Sequence, residues 1–352
     1  MLSLSGSIDL GGRRWRPWPA LGAAALFLAI ACAAPEPTPV QTPVQTPVQT
    51  PTPAPPTSAA VTAAVTAAES GPPPAEAAPR GNPMVSEEAI TPILATTLLN
   101  PGEQRVSFLL AGERAIIKAP EAAVTATYLG EGDTAVKQAN ATYHDWPYGI
   151  RGAYSAPITF DRPGSWQLQV SVDDGEVAGA TTIDLDVVAE SPVPAIGERP
   201  PLSQTKTLAE VEGVEFLTTD YNADEDLYRL TVAEAIESHR PAVVVFASPT
   251  FCTSPTCGPQ VDTVKELKAA FQGQADFVHV EIYDEPQEIQ GDLSRATVVP
   301  AVEDWGFTAL PHWLNESWVF IMNDEGFVEQ RFEGYVTLTE LEASLQSVLD
   351  KG

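Results

Sequence analysis

Three signals follow one another between Pro241 and Phe271: an apolar run, Pro241-Ala-Val-Val-Val-Phe246-Ala247, a turn holding Cys252 and Cys257, and a helical run from Val261 to Phe271. A buried strand that leads through a cysteine-bearing turn into a helix is the usual housing of thiol–disulfide chemistry. The only other cysteine is Cys32, which the N-terminus explains separately. Two thiols five positions apart are therefore the strongest functional signal in the chain.

Gly258-Pro259 predicts the helix start, because proline lacks the N–H that a first turn leaves unbonded and its φ is already helical. Cys257 then lies just outside a helix N-terminus, where the positive end of the macrodipole favours thiolate over thiol. On this reading Cys257 is the reactive sulfur and Cys252 its partner. The same two residues also suit a static disulfide pinning a surface turn, or a pair of soft metal ligands.

The stretch from Val243 to Gln260 resembles the first core strand and active-site turn of the thioredoxin superfamily. Cys257-Gly258-Pro259 matches the first three residues of the family's Cys-Gly-Pro-Cys motif, with Gln260 where the second cysteine would stand. The spacing is nearer to the wider peroxiredoxin-like and SCO-like relatives, although SCO proteins use a shorter Cys-x3-Cys. The resemblance covers about the last third of the chain, 227–352, and implies an α/β thioredoxin-like fold.

The remaining patterns of that segment fit. Leu227 to Thr231 would be a leading strand and Val232 to Glu237 a helix; Asp276 to Tyr283 alternates as a second strand. Trp318 to Met322 and Phe327 to Phe332 flank Asn323-Asp-Glu-Gly326 as a hairpin, and Thr337-Leu-Thr-Glu340 is a capping box before Leu341, Leu345 and Val348. One departure concerns the cis-proline that the family carries before the third strand, where it docks substrate. Asn315-Glu316-Ser317 occupies that place here, so Ser317, or Pro311 brought round by a loop, would dock substrate together with Pro259.

At the other end, Arg13, Arg14 and Arg16 precede an apolar segment, Ala20 to Ala31, that suits a signal peptide (1–31) and falls short of the ~20 residues of a membrane span. Leu28-Ala29-Ile30-Ala31-Cys32 resembles a bacterial lipoprotein signal, which implies a lipid on Cys32, a membrane as partner, and a place on the outer face of the cytoplasmic membrane. Residues 32–84 are dominated by Pro, Thr, Val, Gln and Ala, with Gln-Thr-Pro-Val repeated at 41 and 45. Such a segment buries too little to offset its ordering entropy, and as polyproline II at about 3.1 Å per residue it would hold a folded head up to ~150 Å from a bilayer.

Between 85 and 190 short alternating runs recur at turn-separated spacing, among them Arg105 to Leu110, Ala123 to Tyr128, Ser165 to Val172 and Thr182 to Val187. They predict an all-β sandwich of immunoglobulin-like type without the Cys-Trp-Cys core, and its His144-Asp145-Trp146 cluster reads as a loop feature. Residues 191–226 read as a linker, Ser191 to Pro201, followed by a solvated acidic connector. Asp220, Asn222 and Asp224 have EF-hand spacing, but Glu225 replaces the required glycine and Thr231 the final glutamate.

The net charge of −28, from 47 acidic and 19 basic residues, disfavours nucleic acid as a partner. His312 stands where SCO-like proteins place a copper ligand, so Cys252, Cys257 and His312 are the one candidate metal set, and no cofactor is called for. The expectation is an extracytoplasmic, lipid-anchored thiol–disulfide oxidoreductase acting on protein thiols or disulfides. Its competitor is a binding or scaffolding lipoprotein in which the pair is a staple.

Overall fold

In the computed structural model, the described residues are 89–352, apart from 133, 134, 148, 150, 176, 312 and 314–316. The signal segment, Cys32, the tether and His312 lie outside them. No helix among the described residues is long and apolar enough to cross a membrane.

The first half is all β: β1 (Thr91–Leu94), β2 (Gly102–Ala111), β3 (Glu121–Tyr128), β4 (Val136–Asp145), β5 (Gly152–Phe160), β6 (Gly164–Asp173) and β7 (Ala178–Val187). Strict alternation sets the inner face: Trp166, Leu168, Val170 and Val172 of β6 point inward with Ile183, Leu185 and Val187 of β7. The predicted two-sheet sandwich needs correction. The strands pair antiparallel in one sheet, ordered β1-β2-β5-β4-β3-β6-β7. It curls until Leu99, just after β1, bridges Val187 at the end of β7, so the sheet is nearly closed. Pairing runs unbroken from β2 to β5 and from β3 to β6, which leaves no seam at which two sheets could part, and strand twist accumulates into closure instead.

The second half contains α1 (Val232–Glu237), β8 (Ala242–Ala247), α2 (Cys257–Ala270), β9 (Asp276–Glu281), α3 (Pro300–Asp304), β10 (Trp318–Met322), β11 (Val328–Glu333) and α4 (Leu338–Leu349). Its sheet runs β11-β10-β8-β9, with β8 parallel to β9 and β10 antiparallel to both β8 and β11. That order, with helices between the strands along the chain, makes this half an α/β unit. All six residues of β8 are buried because they feed two cores. Val244 and Phe246 face Trp305, Phe307 and Phe320 on one side; Val243 and Val245 face Val261, Val264, Leu341 and Leu345 on the other. Capping boxes at Thr231/Glu234 and Thr337/Glu340 start α1 and α4.

Two local expectations fail. Leu227 to Thr231 is not a strand: Glu225–Tyr228 is a 3-10 turn capped by the Asp224 side chain, with Leu227 and Tyr228 buried. Nor is 191–226 a free linker and solvated connector. Val193 is fully buried in the core beside Trp305, and the Pro192 carbonyl sits where a Cβ on Gly306, at φ +76°, would have to go. The acidic run is drawn onto α2, where Lys265 pairs with Asp220 at 2.9 Å and Lys268 with Asp224 at 2.6 Å and Asp226 at 3.1 Å. Proline and acid content made the segment look solvated; its scattered apolar residues and the two lysines hold it down.

The halves are also bonded directly. Glu333 of β11 accepts from Thr97 N at 2.7 Å, Thr97 Oγ1 at 2.6 Å and Leu98 N at 3.3 Å. Arg331, two residues earlier on the same face, donates to Leu98 O, Asn100 Oδ1, Ser191 Oγ and Pro194 O. Arg105 of β2 and Ser155 of β5 donate to Glu340, at the N3 position of α4, at 2.7 and 2.9 Å. His144, read from sequence as a loop feature, ends β4 in this seam, 2.9 Å from Ser155 Oγ.

Candidate active site

The site begins where β8 runs out. Cys252 N donates to Ser248 O at 3.0 Å, closing a turn at the strand end. Ser254 and Thr256 then tighten the second half of the loop, their hydroxyls 2.7 Å apart and Thr256 N donating to Ser254 Oγ at 3.2 Å. Helix α2 starts one residue earlier than Gly258-Pro259 predicted: Thr256 is the N-cap, Cys257 the first helical residue and Pro259 the third. Proline is tolerated there, since its missing N–H falls in the turn whose donors have no intrahelical acceptor.

Cys252 and Cys257 are joined in a disulfide with Cα atoms 6.1 Å apart, an ordinary span for such a bond. The two sulfurs differ in access. Cys257 is 0% exposed, packed with Val243, Val245 and Val261, whereas Cys252 is only partly buried. Cys252 opens onto a cleft of about 440 Å³ whose walls are Thr253, Ser254 and Pro255 on one side and Trp146, Pro147 and Arg151 on the other. The second wall is the turn between β4 and β5, so both halves of the molecule build the site. Trp146 meets the second half directly: its ring lies edge-on to Tyr335 with centroids 6.5 Å apart, and Tyr335 Oη is 3.2 Å from Thr263 Oγ1 on α2. Lys118 Nζ donates to Asp145 Oδ1 at 2.9 Å and to Gly149 O at 3.0 Å.

The residues expected to dock substrate are not in this cleft. Ser317 precedes β10 but is fully buried, its carbonyl taken by Gly334 N at 2.9 Å. Pro311 is exposed elsewhere, and Pro259 faces into α2, its carbonyl accepting from Thr263. Gln260, at the position of the family's second cysteine, is fully buried and accepts from Val336 N at 2.8 Å, which ties α2 to the segment after β11. Of the copper set, His312 lies outside the described residues, and the two sulfurs are bonded to each other.

Sequence reasoning missed a buried polar group beneath the loop. Glu281, the last residue of β9 and the register partner of Ala247, accepts from Thr219 N at 2.9 Å and Thr219 Oγ1 at 2.8 Å. Thr219 Oγ1 in turn accepts from Thr250 N at 3.1 Å, so the carboxyl is linked to the cysteine loop. Burial pushes the Glu281 carboxyl up, against the hydrogen bonds from Thr219 that favour its charged form. His279, two residues back, is held neutral by burial, its pKa lowered to about 4. Its Nε2–H donates to the Ala247 carbonyl and its Nδ1 accepts from Tyr228 Oη at 2.6 Å. Alternation puts these two polar residues on one face of β9, and Thr219 and Tyr228 of the preceding segment bond to them there.

No family model and no curated protein matches the chain. A solved structure, a thiol:disulfide interchange protein of the thioredoxin family from Chlorobium tepidum TLS, matches with 11% identity and a TM-score of 0.29, over 46% of this chain and 99% of that one.

Proposed function

We propose that the protein is a thiol–disulfide oxidoreductase, with Cys252 as the sulfur that meets substrate and Cys257 as its buried partner. One observation carries this: the two sulfurs of a single disulfide differ in access, one opening into a cleft and the other buried in the first turn of a 14-residue helix. The assignment reverses the roles expected from sequence, because a sulfur with no solvent access cannot be reached by an incoming chain.

In the oxidised state a substrate thiolate attacks Cys252 Sγ. A substrate–Cys252 bond forms, the Cys252–Cys257 bond breaks, and Cys257 leaves as a thiolate, stabilised by the N-terminus of α2 and later protonated. A second substrate thiolate then attacks the substrate sulfur of the mixed disulfide and Cys252 leaves. The substrate dithiol has become a disulfide, and the protein holds the two electrons as a dithiol. The reverse sequence reduces a substrate disulfide.

The full chain carrying Cys32→Ser, equilibrated in glutathione redox buffers and followed by alkylation, tests this. The expected potential lies above about −300 mV, the boundary typical of structural disulfides. Under reducing conditions Cys252 in a Cys257→Ser variant should alkylate faster than Cys257 in a Cys252→Ser variant. A potential below that boundary, with neither thiol reactive, would leave the scaffold reading with its static staple.

The signal-like segment and the tether support an exported protein anchored through a lipid on Cys32. Mass analysis of protein purified from membranes should find a chain that begins at a diacylglyceryl-modified Cys32; an unmodified Cys32 would remove the anchor from the proposal.

A further inference from the structure

We infer that the 146–151 turn of the β half selects the substrate, and that the polypeptide it favours carries a carboxylate beside its cysteine. This rests on the redox reading of the Cys252–Cys257 pair. Cys252 lines a cleft to which the turn contributes Trp146, Pro147 and Arg151, so a chain that enters it to bring a sulfur up to Cys252 also meets Trp146 and Arg151.

Arg151 is the only charged residue lining the cleft; the facing loop offers Thr253 and Ser254. Arg151 is exposed and makes no ion pair among the described residues, while Asp145, which ends β4, pairs at 2.9 Å with Lys118 from the connection between β2 and β3. The first net charge met in the cleft is therefore positive, although the chain as a whole carries −28. At physiological ionic strength charges are screened over about 8 Å, so the local cation outweighs the distant acidic surface. A guanidinium also offers the paired donors that a carboxylate accepts in two parallel bonds. Trp146 is backed by Tyr335, and prolines stand on both rims, Pro147 and Pro255, residues whose own backbone loses little freedom when a chain docks.

The probes are three cysteine peptides that differ only in the flanking residue, Glu, Gln or Lys, together with dithiothreitol, each reacted with the oxidised full chain carrying Cys32→Ser. Loss of the Cys252–Cys257 disulfide is followed by mass. Flanking charge alters a peptide's own thiol pKa, so the quantity read is the Glu-to-Lys rate ratio in the wild type divided by that in Arg151→Glu. A value of about ten or more at about 50 mM salt, falling towards one at about 500 mM, is expected, with Arg151→Gln in between. A general loss of folding would slow all peptides together and leave the ratio unmoved. A ratio near one with exchange proceeding would overturn the inference and leave the redox reading standing. Failure of every peptide and of dithiothreitol to exchange would overturn both.

Discussion

Arg331→Met should destabilise the whole 89–352 unit by about 3–5 kcal/mol, the cost usually seen when one partner of a buried, hydrogen-bonded charge network is removed. Arg331 is 8% exposed, and its guanidinium serves four acceptors from two segments: Leu98 and Asn100 after β1, and Ser191 and Pro194 after β7. Burial works against the charge, lowering its pKa to about 10, and neighbouring Glu333 and Glu198 offset part of that. Methionine fills much of the space but leaves the acceptors unbonded, and each buried orphan costs on the order of 1–3 kcal/mol. Urea unfolding followed by tryptophan fluorescence would measure the loss. Limited proteolysis would report where it acts: the wild type should resist cleavage between Ser191 and Pro201, and the variant should be cut there. A variant within about 0.5 kcal/mol of the wild type would show that the seam between the halves does not depend on this residue.

The second seam should respond to acid. Burial alone would raise the Glu340 carboxyl, but the Arg105 charge and its hydrogen bonds, with smaller contributions from His144 and Thr337 N, bring it down to about 2. A carboxyl whose folded pKa is depressed contributes stability that is fully present above its unfolded value and is lost as pH falls through the folded one. The window here runs from about 4.5 down to about 2, and the gap corresponds to on the order of 3 kcal/mol. Urea midpoints at several pH values between 7 and 2 should therefore fall steeply below pH 4.5 in the wild type. Glu340→Gln, which keeps an acceptor for Ser155 but cannot titrate, should be less stable at neutral pH and show a flatter acid limb. An unchanged acid limb in that variant would mean that other carboxylates govern acid unfolding. His144 adds no opposing switch near neutrality, because burial lowers its own pKa.

Much of the second half was legible from residue order. Six consecutive apolar residues in β8, a capping box at Thr337/Glu340 and a Gly-containing turn between Met322 and Val328 are local signals, and each carries its own physical cause within a few residues. The pairing of Cys252 with Cys257 was legible for the same reason, since a turn between a strand and a helix holds them within reach. What local pattern could not give is which face a residue meets. Glu281 and His279 share one face of β9 by alternation, and both are buried there against a segment 51 to 62 residues upstream whose acidic composition suggested solvent. Whether seven alternating strands make two sheets or one depends on long-range registers, such as Val106 opposite Ala156 and Val124 opposite Val170, that alternation does not encode.

The sequence by itself determined the elements and the chemistry available: an apolar strand, two cysteines, a helix that follows them, and a β-rich half that precedes them. Tertiary structure alone decided which sulfur is open to the surface. Packing of α2 against β8 buries Cys257, and docking of the 146–151 turn leaves Cys252 open beside Arg151. Access is a property of what lies opposite a residue, and here what lies opposite comes from about a hundred residues earlier in the chain, so no local pattern around the cysteines carries it.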